Sequence, residues 1–393
     1  MALAHKVRVL QVIKGMDIGG IHGGAERFAI ELSGALDASF FDVSIFIWSR
    51  SNTKVEKFWL EKTRDRKMKV FVNEVEENTN RFLKLFSALK SLWIICSQNS
   101  FDIIHSHFQM GTVSGMILKL MGKTKCVIRS VHLVSEIGYD FYGKVLYHLF
   151  IKWLFPLYLD AEVAVSTAAF ESLRLNPGRK FSKNYLTMIH NAISFPTTPS
   201  SKKLFEKETF IIGSASRLTK QKGLVYLIQA AKLVCMDYPQ IRFEIVGEGE
   251  LRDELEKIVV DLGISDNVLF YGTHQNIYQF LENIDLLVLP SLWEGLPTIV
   301  LESMAAGTPI IATDIPGTNE LIENHKNGWL VPPQDAKALA DSIVYLFLHP
   351  ELRNAMVNEA KQHVHKFSID AIARKYENVY KQMIQHNYGF LTK

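Results

Sequence analysis

Short apolar runs alternate with longer amphipathic stretches along most of the chain. VRVLQVI (7–13), DVSIFIW (42–48), FDIIHSH (101–107), KCVIRSV (125–131), AEVAVST (161–167) and LTMIHNA (186–192) have strand length and are rich in β-branched residues. Helical periodicity fills the intervals at 81–98, 111–121 and 144–159. Near-continuous apolar strands separated by helices predict a parallel sheet covered on both faces. The periodicity stops at 193–208 (ISFPTTPSSKKLFEKE), where two prolines and a Ser/Thr/Lys cluster predict an interdomain linker. It restarts with strands at 210–216, 242–248, 267–272, 285–291 and 309–313, and helices near 222–237, 249–262, 276–283 and 298–306. From 335 onward only helices are expected, at 335–347, 351–365 and 369–387.

The fold class that follows is α/β, with two doubly wound, Rossmann-like domains facing a cleft and helices at the C-terminus. The first domain is expected over 1–192, the linker over 193–208, the second domain over 209–366 and a last helical segment over 367–393. Ligands of doubly wound sheets bind at the carboxyl ends of strands. Loops that directly follow strands are therefore where chemistry is sought.

Composition narrows the class. The chain has 393 residues, 48% hydrophobic and 22% charged, which is neither a disordered nor a fibrous sequence. Cys96, Cys126 and Cys235 are odd in number and far apart. They support neither a disulfide framework nor a zinc site, and they suit a reducing cytoplasm. Lys6, Arg8 and Lys14 interrupt the first apolar run, so no secretory signal is expected there. The most apolar later stretch, 145–159, is shorter than the roughly 20 residues of a membrane span. The cytoplasm is the expected compartment.

Residues 1–200 carry 25 Lys+Arg against 17 Asp+Glu, whereas 201–393 carry 19 against 24. A basic first half fits an anionic partner such as a membrane surface; drift between two domains accounts for it equally well. The aromatic, basic stretch 139–158 has a matching pair of readings. It is either a buried helix of the first domain or a helix presenting Lys144, Lys152 and Trp153 to anionic lipid at the cytoplasmic membrane face. No nucleic-acid partner is expected.

The first strand runs into a loop holding Gly19, Gly20, Gly23 and Gly24, ahead of a helix beginning near Ala25. Glycine permits close backbone approach and a helix start offers free amides to an anion, although a tight turn explains the loop as well. In the second domain, GSASRLTKQKG places Arg217 just after a strand and Lys222 at the expected opening of the next helix. Cations there oppose the helix dipole unless an anion compensates, so Arg217 and Lys222 read as a diphosphate clamp, with Lys220 able to replace Lys222. IVGEGELRDELE (245–256) departs from a dinucleotide fingerprint at Arg252 and reads as a strand-to-helix turn.

The densest stretch is PSLWEGLPTIVLESMAAGTPIIATDIPGTNELI (290–322). Glu294 stands in a loop, Pro297 suits the first turn of a helix, and Glu302 lies one to two turns inside it. Helical rise puts the two carboxylates roughly 8–12 Å apart, beyond the about 5–5.5 Å of a retaining glycosidase pair. They suit two parts of one extended ligand, since a carboxylate accepts vicinal hydroxyls of a ribose or hexose.

Together these pieces resemble the retaining glycosyltransferases of the GT-B fold, in the large group-one family numbered four. GGAER (23–27), FDIIHSHF (101–108), RSVH (129–132), AVSTA (164–168), IHNAI (189–193), SRLTKQKG (216–223), VGEGELR (246–252), the E-x7-E motif Glu294–Glu302 and GWLVPP (328–333) occur in family order. The resemblance implies transfer of a sugar from a nucleoside-diphosphate sugar, with UDP expected and GDP the alternative. The acceptor is expected to be a saccharide or lipid-linked, in cell-surface polysaccharide or glycolipid assembly.

By the same resemblance, Arg217 and Lys222 bind the donor diphosphate, Glu302 holds the ribose, and Glu294 contacts the transferred sugar. Gly295, Leu296, Pro297 and Thr298 line sugar and phosphate. Thr273 and His274 lie by the nucleobase, Gly23 and Gly24 approach the diphosphate or acceptor, and His132 faces the sugar. His105 and His107 stand at a strand end, where a histidine is more often structural than a ligand contact, and both readings remain open. The final helix is implied to cross back to the first domain.

Breaking the sugar–diphosphate bond develops negative charge on phosphate, which fixed cations stabilise. The sequence holds no D-x-D pair, so neither metal nor cofactor is expected. No residue stands out as a covalent nucleophile, and acceptor attack from the leaving-group face with retention is the expected course. The rival readings are a nucleotide-sugar epimerase or sugar phosphorylase of the same fold, or a non-catalytic partner that keeps the fold.

Overall fold

The computed structural model describes residues 6–18, 23–132, 152–182, 184–195, 209–274 and 276–388. The chain divides into two compact units: Ala192–Ser368 makes up the described part of one, and the described residues before Ala192 together with Ile369 onward form the other.

The first unit holds β1 (Val7–Ile13), β2 (Phe41–Ile47), β3 (Lys69–Val72), β4 (Ile103–Ser106), β5 (Cys126–Val131), β6 (Ala161–Ala164) and β7 (Tyr185–Met188). They form one parallel sheet in the order β3-β2-β1-β4-β5-β6-β7. Val9, Leu10, Val12 and Ile13 of β1 are fully buried, because helices cover both faces of a parallel sheet. Strand order reverses between β1 and β4. β3 and the helices Lys54–Asp65 and Thr167–Arg174 go beyond the elements read from the pattern. Three of the four β3 residues are only half-buried and the fourth is exposed, which dilutes the apolar signal of an edge strand. Helix Lys54–Asp65 is mostly charged and buries little beyond Glu56, Trp59 and Thr63.

The expected helix over 144–159 falls largely outside the described residues; from 152 on, the chain includes a single α-helical turn at Phe155–Tyr158. Gly19, Gly20 and Lys144 also lie outside them, as does most of the expected linker, from 196 to 208.

Helix Ile369–Tyr388 belongs to the first unit. Ile372, Ala373, Tyr376, Val379, Tyr380, Met383 and Ile384 form its buried stripe at i, i+3/i+4 spacing. Tyr376 packs on Phe28 at 5.7 Å between ring centroids, and Tyr380 on Phe41 at 5.8 Å. Beneath β5 and β6 the buried Arg129 faces Glu162 at 3.5 Å and Phe155 at 4.8 Å.

The second unit holds β8 (Phe210–Ala215), β9 (Ile241–Val246), β10 (Val268–Tyr271), β11 (Leu286–Leu289), β12 (Ile310–Thr313) and β13 (Trp329–Val331), all parallel. Their order is β10-β9-β8-β11-β12-β13, with the reversal between β8 and β11. The three-residue β13 is too short for a periodicity signal. One core cluster unites Ile212, Leu227, Phe243, Val288, Ile311 and Ile343 between the sheet and its helices. Ile193 N–H donates to Phe367 O at 3.1 Å, so the first and last residues of this unit run side by side.

Among the described residues no helix is long and apolar enough to cross a membrane. Tyr380 is fully buried. Tyr380→Ala is expected to lower the unfolding free energy by about 3–5 kcal/mol, as for other buried aromatics. Urea titration followed by tryptophan fluorescence measures it.

Candidate active site

In the second unit the loops after β8, β9 and β11 are knitted at their backbones. Leu218 N–H donates to Glu248 O at 2.9 Å, Leu251 N–H to Leu218 O at 3.0 Å, and Leu292 N–H to Gln221 O at 2.8 Å. Two glycines make this closeness achievable. At Gly223, with φ +59°, a Cβ would stand 2.2 Å from Pro290 O; at Gly247, with φ +138°, it would stand 1.9 Å from Ser216 O. Neither backbone conformation nor space admits a side chain.

Lys222 does not open the following helix. It ends a 3-10 turn, Lys220–Lys222, and the left-handed Gly223 separates it from helix Leu224–Asp237. The kink turns the lysine toward the β11 loop. Lys222 Nζ lies 2.6 Å from Glu294 Oε1, which also accepts from Ser291 Oγ at 2.6 Å. Lys220 is exposed and Lys222 half-buried, so the structure selects Lys222 for this contact. Arg217 is half-buried in the same loop, and among the described residues its guanidinium has no ion-pair partner.

Pro297 is the N-cap of helix Thr298–Ala306 and supplies no capping side chain. Gly295, Leu296 and Pro297 are buried, Thr298 is half-buried, and Glu302 is buried one turn further along. Arg217, Lys222, Glu294 and the 295–298 backbone thus gather at the carboxyl ends of β8 and β11, where the strand order reverses and α/β sheets bind ligands. Thr273 and His274 follow edge strand β10, two strands from β8. His274 is exposed and leans on Phe280 at 6.1 Å.

In the first unit Gly23 caps helix Gly24–Ala35, and its N–H already donates to Glu26 Oε2 at 3.0 Å. The Glu26 carboxylate thereby takes up the Gly23 N–H in a capping-box contact at the helix start.

His132 follows β5 and closes a buried chain of hydrogen bonds. Gln11 Nε2 donates to Tyr380 Oη at 3.0 Å, so Gln11 Oε1 accepts from His107 Nε2 at 2.8 Å. His107 Nδ1 therefore accepts, and it lies 3.1 Å from His132 Nε2. Tyr380 Oη donates its own proton to His105 Nδ1 at 2.7 Å, leaving His105 Nε2 to donate to Ser130 Oγ at 2.8 Å. Ser130 Oγ and Tyr376 Oη share the last bond, at 2.9 Å. The primary amide sets every tautomer in the chain, with all three rings neutral. Burial agrees: desolvation holds His105 down to about 3 and His132 down to about 4, and it pushes His107 well below the usual range, helped by the neighbouring rings. Sequence reading leaned toward structural roles for His105 and His107 with a ligand contact left open, and it missed Gln11, Tyr376 and Tyr380, whose partners lie far away along the chain.

These histidines bind protons in the unfolded chain near pH 6.5 and resist them in the folded one. Stability from this source is complete above pH 6.5 and falls as pH drops toward 4. Urea midpoints at pH 7.5 and 5.0 should show the loss, and His105→Gln/His107→Gln should flatten it. An equally steep loss in that variant would place the titration elsewhere.

Two family models match adjacent parts of the chain: Glycosyltransferase Family 4 over 22–195 and Glycosyl transferases group 1 over 197–363. An uncharacterized glycosyltransferase of Haemophilus influenzae is 27% identical, covering 93% of this chain and 98% of its own. The Escherichia coli UDP-Gal:alpha-D-GlcNAc-diphosphoundecaprenol alpha-1,3-galactosyltransferase is 24% identical over 77% of this chain and 81% of its own. Anabaena HepE, solved in complex with UDP and glucose, has the same fold at TM-score 0.78 and 19% identity, covering 96% of this chain and all of that one. The chain belongs to the group 1, family 4 glycosyltransferases and has their GT-B architecture of two Rossmann-like units.

Proposed function

We propose that this glycosyltransferase moves a sugar from a UDP-sugar to a saccharide acceptor, carried on a lipid at the cytoplasmic face of a membrane, with retention of anomeric configuration and without a metal ion. The observation that carries the donor half is the charge arrangement at the β8/β11 reversal: Lys222 paired with Glu294 at 2.6 Å, and Arg217 beside it without an ion-pair partner among the described residues. UDP in the HepE complex and in the name of the Escherichia coli relative supports uridine over guanosine. The latter's diphosphoundecaprenol acceptor supports a lipid-linked acceptor.

The chemistry follows from charge. As the anomeric carbon–oxygen bond breaks, the diphosphate gains negative charge, and Arg217 and Lys222 stabilise it with no reorganisation. A diphosphate competing for Lys222 frees Glu294 to accept hydroxyls of the transferred sugar. Glu302, on the next helix, accepts the ribose hydroxyls, and the 295–298 amides line sugar and phosphate. Thr273 and His274 sit by the base, while Gly23, Gly24 and His132 act from the first unit. The acceptor hydroxyl attacks from the leaving-group face and passes its proton to the departing phosphate oxygen.

A thermal-shift series with UDP, GDP and ADP tests the donor. UDP is expected to raise the midpoint by mass action, equally with EDTA and not in Arg217→Ala. Lys222→Ala is expected to cut kcat by about 10²–10³-fold. A shift with phosphate alone would favour a phosphorylase. Loss of the UDP shift in EDTA would overturn the metal-free mechanism, and an inverted anomer by NMR would overturn retention.

A further inference from the structure

Helix Arg81–Asn99 is apolar on more than the side it buries. Leu85, Ala88, Leu92, Ile95 and Cys96 pack into the core with Leu10, Phe46 and Leu118. A second stripe, Phe82, Phe86, Leu89 and Trp93, recurs at spacings of four, three and four and so lies along one outer line of the helix. Phe82 is 82% exposed, Phe86 76% and Trp93 43%. At the end of the neighbouring helix, Leu120 and Met121 are exposed as well. A helix apolar on both sides with one side in water marks an interaction surface.

The charges identify the partner. The helix holds no Asp or Glu, and over 78–125 six basic residues face a single acidic one, Asp102, whose carboxylate accepts the Arg8 N–H. Lys84 and Lys119 are held by Glu77 and Asp160. Lys90 remains exposed on the helix, and Lys123 reaches over the Trp93 ring with Nζ 5.3 Å from its centroid. An aromatic ring with an ammonium above it is amphipathic along one direction, apolar below and charged toward phosphate. Such a surface suits the headgroup boundary of an anionic bilayer better than a protein, whose docking would require carboxylates opposite the lysines.

We propose that the outer stripe of helix Arg81–Asn99, with the Leu120–Lys123 corner, seats the first unit on an anionic lipid bilayer, the helix lying in the interface plane. The proposal stands apart from the donor chemistry, which involves none of these residues.

Co-sedimentation of the full chain tests it, using vesicles of phosphatidylcholine with and without phosphatidylglycerol. Binding is expected only to the anionic vesicles and should weaken with salt. Phe82→Ser/Phe86→Ser removes two exposed rings and should weaken binding by at least about tenfold, with the melting midpoint and UDP-induced shift unchanged. Lys90→Glu/Lys123→Glu should do the same. Undiminished sedimentation of both variants would overturn the proposal. So would loss of binding confined to Lys144→Glu/Lys152→Glu, which would move the contact to 139–158. A concentration-dependent dimer abolished by Phe82→Ser/Phe86→Ser, without vesicle binding, would assign the stripe to a second copy instead.

Discussion

The close pair of Lys222 and Glu294 is the contact around which the loops at the carboxyl end of the second unit's sheet are arranged. It exists because of a topological constraint. The chain leaving β8 turns toward β9 and the chain leaving β11 turns toward β12, yet at this reversal their loops meet, with Leu292 N–H donating to Gln221 O at 2.8 Å. Two charges placed there lose hydration, and removing one would leave the other stranded at a cost of about 3–5 kcal/mol. Their mutual contact and the Ser291 hydroxyl offset that cost. Gly223 and Gly247 are the conformational conditions for it, since a side chain at either would drive the three loops apart.

Much of this was legible in the sequence. Buried parallel strands are continuous apolar runs, so β1 was placed to the residue and the other long strands within a few. The strands that escaped were β3 and β13, an edge of four residues and a segment of three, where burial leaves too few apolar positions to form a pattern. Glu294 and Lys222 could be named because each stands in the segment between a strand and the next helix, a position that has a meaning before any coordinate is known. What spacing could not give was the Lys222–Gly223 kink. A lysine before a glycine reads as a helix start, and only a positive φ at Gly223 separates the two.

The tyrosine–histidine chain was hidden for a different reason. Its members come from positions 11, 105, 107, 130, 132, 376 and 380, and no local pattern relates them. A buried tyrosine at i and i+4 of a C-terminal helix looks like ordinary core. Its hydroxyl becomes informative only when seen to satisfy Gln11 and His105, which would otherwise be orphaned in a low dielectric.

The two units use one topology for opposite electrostatics. At its carboxyl ends the first places neutral imidazoles, an amide and hydroxyls, with histidines that burial keeps uncharged. The second places a guanidinium, an ammonium and two carboxylates. The first unit's neutral donors and acceptors are buried and satisfy one another. Fixed cations suit a diphosphate, whose charge grows as its bond to the sugar breaks. The first unit's buried histidines stay uncharged well below neutral pH.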